Sequence, residues 1–176
     1  MSQHPLAVGD TAADFTLRDQ NGRDVTLGEL TAERAVLLVF YPFAFSGICT
    51  GELREIRDDL GRFESEDVTT LAISCDPMFS LRAWADREGY FFPLLSDFWP
   101  HGAVARAYGV FDDQAGMAGR GTFLVGRDGR IAWQLVNPPG ERRSFAGYHE
   151  ALIGLTGSGP AAGSAAGSAA RPVADG

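Results

Sequence analysis

Hydrophobic residues along the chain form one continuous run, a second mostly apolar run and, between them, one run at helical spacing. The continuous run covers 35–41, with the sequence AVLLVFY, and the mostly apolar run covers 68–74, with the sequence VTTLAIS. Mostly apolar runs of this length are typical of strands that are buried on both faces of a sheet. Between them, apolar residues recur every three or four positions, which predicts one helix over 47–63. The residues of its apolar face are Leu53, Ile56, Leu60 and Phe63.

Turn residues add two hairpins to this pattern. Asn21-Gly22 separates two short apolar runs, and this pair favours the tight turn of a β-hairpin over 15–27. Asp128-Gly129 does the same over 122–135. Further helices are predicted over 79–88, 101–108 and 144–155, and a short extended segment over 94–96.

The order of these elements predicts an α/β fold of the thioredoxin-like type, with a central mixed β-sheet flanked by helices and an N-terminal β-hairpin. Strands 35–41 and 68–74 are joined through a helix, so we expect them to be parallel with a right-handed crossover. The helix that begins at Gly47 then starts at the carboxyl end of a central strand. In open α/β sheets, binding and catalytic residues gather at that edge.

Length, charge and composition narrow the classes of function. The 176 residues favour a single domain, which we place at 1–156. A net charge of −8 argues against nucleic acid as a partner, and no stretch approaches the ~18 apolar residues of a membrane span. The segment 1–10 has neither a basic start nor an apolar run, so the sequence predicts a cytoplasmic protein. Residues 157–176 are almost all Gly, Ala, Ser and Pro, which predicts a disordered tail.

The candidate chemistry centres on Cys49, which the predicted elements place in the first turn of a helix. The N–H groups and the positive dipole end of that turn favour an anion, and the thiolate is the nucleophilic form of cysteine. Ser46, three residues earlier, has a hydroxyl that can donate or accept a hydrogen bond. Pro42 has no N–H and a rigid ring, so it can shield the sulfur without competing for it. This combination predicts a reactive cysteine rather than a buried structural thiol.

Pro42, Ser46 and Cys49 also match the motif Pro-x-x-x-Thr/Ser-x-x-Cys, and the segment resembles the active site of the peroxiredoxins. The similarity extends over 8–156 and includes the segment around Arg120. The blocks FAFSGIC and LLSDFWPHGAV are most similar to the one-cysteine alkyl hydroperoxide reductase E type of actinobacteria. The resemblance implies a thiol-dependent peroxidase that needs no cofactor and no metal.

The resemblance also implies a role for each residue of the site. Cys49 would be the peroxidatic thiolate, and Arg120 would lie beside it and stabilise charge as the O–O bond breaks. Ser46 would bind the peroxide oxygens where the family usually has Thr, Pro42 would cap the pocket, and the main-chain N–H of Cys49 would complete the donors. Glu52 would support the site by orienting the arginines. The alternatives from the residues alone are that Ser46 is a helix cap, Arg120 a solvated turn residue and Glu52 an ordinary first-turn acid.

A second thiol must reduce the sulfenic acid that peroxide leaves on Cys49. Cys75 is a candidate redox-active residue, because it follows the strand 68–74 and could lie on the same side of the sheet as Cys49. It does not match the resolving positions of two-cysteine peroxiredoxins, and Arg54 occupies the position five after Cys49. The resemblance therefore favours a one-cysteine mechanism. The reductant would be a low-molecular-weight thiol or a glutaredoxin-like or thioredoxin-like protein.

Aromatic residues near the motif suggest further partners. Phe43, Phe45, Phe98 and Trp99 lie near the site in the sequence or by resemblance. Related peroxiredoxins dimerise through this face, so we expect a homodimer or a larger assembly of dimers. An apolar rim would also admit organic hydroperoxides, although hydrogen peroxide and peroxynitrite stay open as oxidants.

Three other classes of function compete with this interpretation. A thioredoxin-type dithiol oxidoreductase needs Cys-x-x-Cys, and no second cysteine lies near Cys49. A cysteine hydrolase needs a Cys–His pair, for which His101 and His149 are candidates without a motif. A non-enzymatic sensor or holdase could use the same fold, because a fold does not determine a function.

Overall fold

The computed structural model describes residues 4–157 and confirms the predicted fold class, with a mixed β-sheet flanked by helices. The strands of the main sheet are β1 (Thr16–Asp19), β2 (Asp24–Thr26), β3 (Ala35–Phe40), β4 (Val68–Ser74), β5 (Leu94–Ser96), β8 (Arg120–Val125) and β9 (Ile131–Asn137). A separate small hairpin consists of β6 (Phe111–Asp112) and β7 (Met117–Ala118). The helices are α1 (Leu27–Thr31), α2 (Gly47–Asp58), α3 (Leu60–Phe63), α4 (Met78–Glu88), α5 (Ala103–Ala107) and α6 (Ala146–Thr156).

The seven strands of the main sheet lie in the order β2-β1-β5-β4-β3-β8-β9. The predicted parallel pair is confirmed, since β3 and β4 are parallel with Ala35 opposite Val68 and Phe40 opposite Ile73. The two predicted hairpins are confirmed as the antiparallel pairs β1–β2 and β8–β9. Helix α2 therefore leaves the carboxyl end of the central strand β3, where the sequence placed the chemistry.

Two hydrophobic cores cover the two faces of this sheet. Alternate residues of β3 point to opposite sides, so Leu37 and Val39 belong to one core while Val36, Leu38 and Phe40 belong to the other. The first core contains Cys49 together with the apolar face of α2. This division by strand alternation decides which side of the sheet each later side chain faces.

The prediction of one continuous helix over 47–63 is wrong. Helix α2 ends at Asp58, and Asp59 adopts a non-helical conformation with φ −121° and ψ 38° before α3 begins. The apolar spacing continues across the break, because Phe63 still packs in the same core as Ile56. Periodicity alone therefore did not reveal the break, although aspartate is a weak helix former.

Helix α1 and the β6–β7 hairpin were not predicted. Helix α1 is stabilised in part by a contact from outside the helix. The Asp14 carboxylate accepts a hydrogen bond from the Gly28 N–H at 2.8 Å, across 14 positions of the chain. The β6–β7 hairpin has only two residues in each strand, too few for a period-two pattern to show.

Two further predictions concern regions at or beyond the described residues. None of the helices in 4–157 is long and apolar enough to cross a membrane. The predicted tail at 157–176 lies outside the described residues apart from Gly157, so it and the domain boundary stay predictions.

We expect Phe63→Ala to lower the free energy of unfolding by about 3–5 kcal/mol, because it empties a fully packed position. Phe63 is 1% exposed and lies 5.0 Å from the Phe145 ring and 5.4 Å from the Tyr148 ring, measured between centroids. Urea unfolding followed by circular dichroism measures the change. The matched control is Phe91→Ala, which removes a ring that is 82% exposed and should change stability by less than about 0.5 kcal/mol. Equal effects of the two substitutions would contradict the packing described.

Candidate active site

Helix α2 carries two of the predicted site residues on one face. Cys49 and Glu52 are three positions apart, and both are fully buried. Pro42 is buried at the carboxyl end of β3, and the loop 42–46 connects it to the start of α2. The fold thus brings the proline and the cysteine of the motif to the same end of the central strand.

Ser46 is the N-cap residue of α2, as the helix-cap alternative predicted. Its Oγ accepts a hydrogen bond from the Cys49 N–H at 3.4 Å, a long distance for such a bond. The same hydroxyl keeps its own hydrogen, so capping leaves Ser46 able to donate to an oxygen of a substrate. The main-chain N–H of Cys49, expected as a free donor, is instead partly engaged by Ser46.

Arg120 lies beside the thiol, as the resemblance implied. Its Nη1 is 3.5 Å from Cys49 Sγ and donates to Glu52 Oε2 at 2.7 Å, while its Nε donates to the Pro139 carbonyl at 2.7 Å. Arg120 is 3% exposed, so it is a buried charge and not a solvated turn residue. Arg120 is the first residue of strand β8, which pairs with β3.

Arg143 is a site residue that the sequence did not reveal. Its main-chain N–H donates to Glu52 Oε1 at 2.8 Å, and its Nε lies 3.2 Å from Glu52 Oε2 as an ion pair without hydrogen-bond geometry. The rest of the guanidinium donates to the Phe40 carbonyl at 2.6 Å and to Thr122 Oγ1 at 2.8 Å. Arg143 lies in the segment between strand β9 and helix α6, outside any motif recognised in the sequence, and 91 positions separate it from Glu52.

Electrostatics follow from this set of buried charges. Burial lowers the pKa of the Arg143 guanidinium, and the neighbouring Glu52 carboxylate opposes that shift. With both guanidinium groups charged, Glu52 balances one of the two positive charges. The remaining positive charge lies next to Cys49, where a thiolate or another anion would balance it.

Cys75 lies on the other face of the sheet. The expectation that both thiols share one side is wrong, because Cys75 packs in the core with Val36 and Phe40 while Cys49 packs in the core with Leu37. Burial, followed by the nearby Asp97 carboxylate, raises the pKa of the Cys75 thiol to about 12. Cys75 is therefore a neutral thiol at physiological pH, separated from Cys49 by the strand layer.

The histidines do not form the pair that a cysteine hydrolase needs. Both ring nitrogens of His101 lie within hydrogen-bond distance of main-chain carbonyls, those of Phe98 and Gly116. His149 packs against the rings of Phe63 and Tyr148. Within residues 4–157, no histidine makes a hydrogen bond to Cys49.

Comparison with known proteins decides the family. The model of the AhpC/TSA family matches residues 8–134, more than half of the chain. The chain belongs to this family. It is a peroxiredoxin, a thiol-dependent peroxidase.

This peroxiredoxin is similar to known peroxiredoxins in both sequence and structure. It is 54% identical over 151 residues to alkyl hydroperoxide reductase E of Mycobacterium tuberculosis, covering 86% of this chain and 99% of the relative. It is 31% identical over 147 residues to the chloroplastic 2-Cys peroxiredoxin BAS1 of Hordeum vulgare, covering 78% of this chain and 69% of the relative. The crystal structure of Enterococcus faecalis AhpC superposes with a TM-score of 0.76 at 27% identity, covering 85% of this chain and 92% of that chain. These similarities support the thioredoxin-like fold described above.

We expect Glu52→Gln to destabilise this peroxiredoxin by about 3–5 kcal/mol, because it leaves two buried guanidinium groups without their carboxylate. Urea unfolding measures the loss. The control is Glu55→Gln, the same substitution about one helical turn further along α2. It breaks an exposed ion pair with Arg142 and should cost less than about 1 kcal/mol. A Glu52→Gln protein as stable as the control would contradict the role of the shared carboxylate.

Proposed function

We propose that this peroxiredoxin reduces hydroperoxides at Cys49 and forms a sulfenic acid there. The observation that carries the proposal is the contact between Arg120 Nη1 and Cys49 Sγ at 3.5 Å, inside a cluster that holds one uncompensated positive charge. A thiolate held there can attack the nearer peroxide oxygen, and the electron pair of the O–O bond leaves with the other oxygen as water or an alcohol once protonated. Arg120 and the Ser46 hydroxyl are the proposed donors to the peroxide oxygens.

We propose a one-cysteine mechanism in which an external thiol completes the cycle. The position of Cys75 on the opposite face of the sheet, together with its raised pKa of about 12, supports this mechanism, since a resolving residue must reach Cys49 as a thiolate. The reductant is a low-molecular-weight thiol or a glutaredoxin-like or thioredoxin-like protein. A cytoplasmic location suits such a reductant and stays part of the proposal.

We propose that organic hydroperoxides are among the substrates, because apolar side chains are exposed near the start of α2. Phe43, Phe45 and Ile48 are partly exposed around the start of α2, with exposed fractions of 46%, 48% and 38%. In the sequence, these apolar residues lie just before Cys49, whose thiol is itself fully buried. Apolar surface at a site entrance favours a substrate with a hydrocarbon group over one without it.

Mixing the reduced protein with one equivalent of peroxide and recording intact mass tests this function. We expect wild type and Cys75→Ser to gain one oxygen atom, and Cys49→Ser to gain none on the same timescale. Stopped-flow repeats with hydrogen peroxide and with an alkyl hydroperoxide give the preferred oxidant.

Three outcomes, the last of them observed after a reductant is added, would contradict the proposal. A loss of two hydrogen atoms that requires both cysteines would make Cys75 the resolving thiol. No rapid change in any of the three proteins would remove Cys49 as the reactive thiol. Oxidation of Cys49 with no turnover on adding any reductant would favour the non-enzymatic sensor.

We further propose that a second copy of the chain covers the aromatic surface beside the site. This surface, made of Pro77, Met78, Phe79, Phe98 and Trp99, lines an open groove of about 550 Å³ at the carboxyl end of β5. Phe79 is 73% exposed and Trp99 is 81% exposed, which is unusual for rings of this size. Burial of both rings in a dimer would remove this apolar area from water.

We expect sedimentation velocity to show a dimer for wild type and a shift towards monomer for Trp99→Asp, because a charge in an apolar interface opposes association. The control is Phe91→Asp, which alters an equally exposed ring before the amino end of β5, at the opposite end of that strand from Trp99. A monomeric wild type at working concentration, or a dimer that Trp99→Asp leaves unchanged, would refute this assembly.

A further inference from the structure

The loop 42–46 is held by an acidic residue from the neighbouring strand. Asp76 lies just after β4, and its Oδ2 accepts a hydrogen bond from the Ala44 N–H at 2.8 Å. The same oxygen accepts a hydrogen bond from Ser74 Oγ at 2.7 Å, and the Asp76 carbonyl accepts one from Ser96 Oγ at 2.6 Å. Asp76 therefore links the loop after β3 to the ends of both β4 and β5.

Within residues 4–157, no other hydrogen bond anchors the loop 42–46 to a distant part of the chain. The Ala44–Asp76 hydrogen bond is the one bond that ties 42–46 to a part of the chain beyond α2. The other main-chain hydrogen bond inside the loop, from the Ser46 N–H to the Phe43 carbonyl, is long at 3.4 Å. The path of the loop thus depends on Asp76 more than on its own internal turn.

The next residue of the loop has a strained backbone. Phe45 has φ 66° and is the one non-glycine residue with a positive φ among the described residues. A residue with a Cβ atom keeps that conformation only when its surroundings enforce it. Here the constraints are the Asp76 bond to Ala44 on one side, the Ser46 cap of α2 on the other, and the Phe45 ring, 6.1 Å from the Trp84 ring.

We propose that Asp76 is a positioning residue for the Cys49 reaction, whose carboxylate holds the loop 42–46 in the strained turn that sets Ser46 against the start of α2. Asp76 acts through the main chain of Ala44 and does not touch the reacting atoms. Releasing Ala44 lets Phe45 relax and moves the Ser46 hydroxyl away from the peroxide oxygens. The inference rests on the proposed function, in that Cys49 is taken as the peroxidatic thiol.

Two rates measured on the same variants test the inference. One is the rate of Cys49 oxidation by peroxide, which needs the positioned donors. The other is alkylation by iodoacetamide, which reports the availability of the thiolate without those donors. We expect Asp76→Ala to lower the peroxide rate by about tenfold to a hundredfold, with alkylation as fast as in wild type or faster. Asp76→Asn keeps an oxygen that can accept from Ala44 and should retain most of the peroxide rate.

Two further variants keep the test decisive. Ser74→Ala removes one partner of the carboxylate and should give an intermediate loss of peroxide rate, which covers the case of an Asp76→Ala protein that does not fold. Asp19→Ala is the matched control, because Asp19 also accepts main-chain hydrogen bonds, from the N–H groups of Asn21 and Arg23, in the remote β1–β2 turn. We expect Asp19→Ala to lose stability and to keep the peroxide rate.

The outcomes separate this inference from the proposed function. An Asp76→Ala protein with an unchanged peroxide rate overturns the positioning role, and so does an equal loss of both rates or an equal loss of peroxide rate in Asp19→Ala. A wild-type protein whose Cys49 does not react with peroxide refutes the proposed function instead. If Asp76→Asn keeps the peroxide rate that Asp76→Ala loses, and the alkylation rate is unchanged in both variants, the positioning role is supported.

Discussion

A single buried carboxylate, that of Glu52, holds two guanidinium groups in the interior of this protein. Charges in an apolar interior are costly unless each has a partner and the remaining donors are satisfied. Arg120 meets this requirement through Glu52 and the Pro139 carbonyl, and Arg143 through Glu52, Phe40 and Thr122. The cluster therefore joins helix α2, strands β3 and β8 and the segment before α6 into one unit.

That unit gives Cys49, the proposed reactive thiol, a fixed electrostatic environment. Cys49 is fully buried, and the donor 3.5 Å from its sulfur is held by other bonds and cannot swing away. Fixed donors need no reorganisation when charge develops on a reacting oxygen, which is the main way in which such a site accelerates a reaction. The strained loop before α2 is also held in place, because the Asp76 carboxylate accepts a hydrogen bond from Ala44, between Pro42 and Ser46.

Separation of the two cysteines by the sheet shapes the second half of the reaction. Cys49 lies on helix α2 in the core on one face of the sheet, whereas Cys75, the residue after β4, lies in the core on the other face. A disulfide between them would require a large rearrangement of buried strands. This arrangement supports the proposed one-cysteine mechanism, in which a thiol from outside the chain completes the cycle.

The sequence by itself determined the main elements and singled out Cys49 as the candidate reactive residue. The apolar runs predicted β3 and β4, the turn residues predicted the two hairpins, and the motif around Cys49 identified the family, because these signals lie within short segments. Tertiary structure alone decided the break at Asp59, the role of Arg143 and the anchoring of Ala44 by Asp76. Arg143 reaches Glu52 across 91 positions and Asp76 reaches Ala44 across 32. No local pattern records such pairs, since they form only when the folded sheet brings distant segments of the chain together.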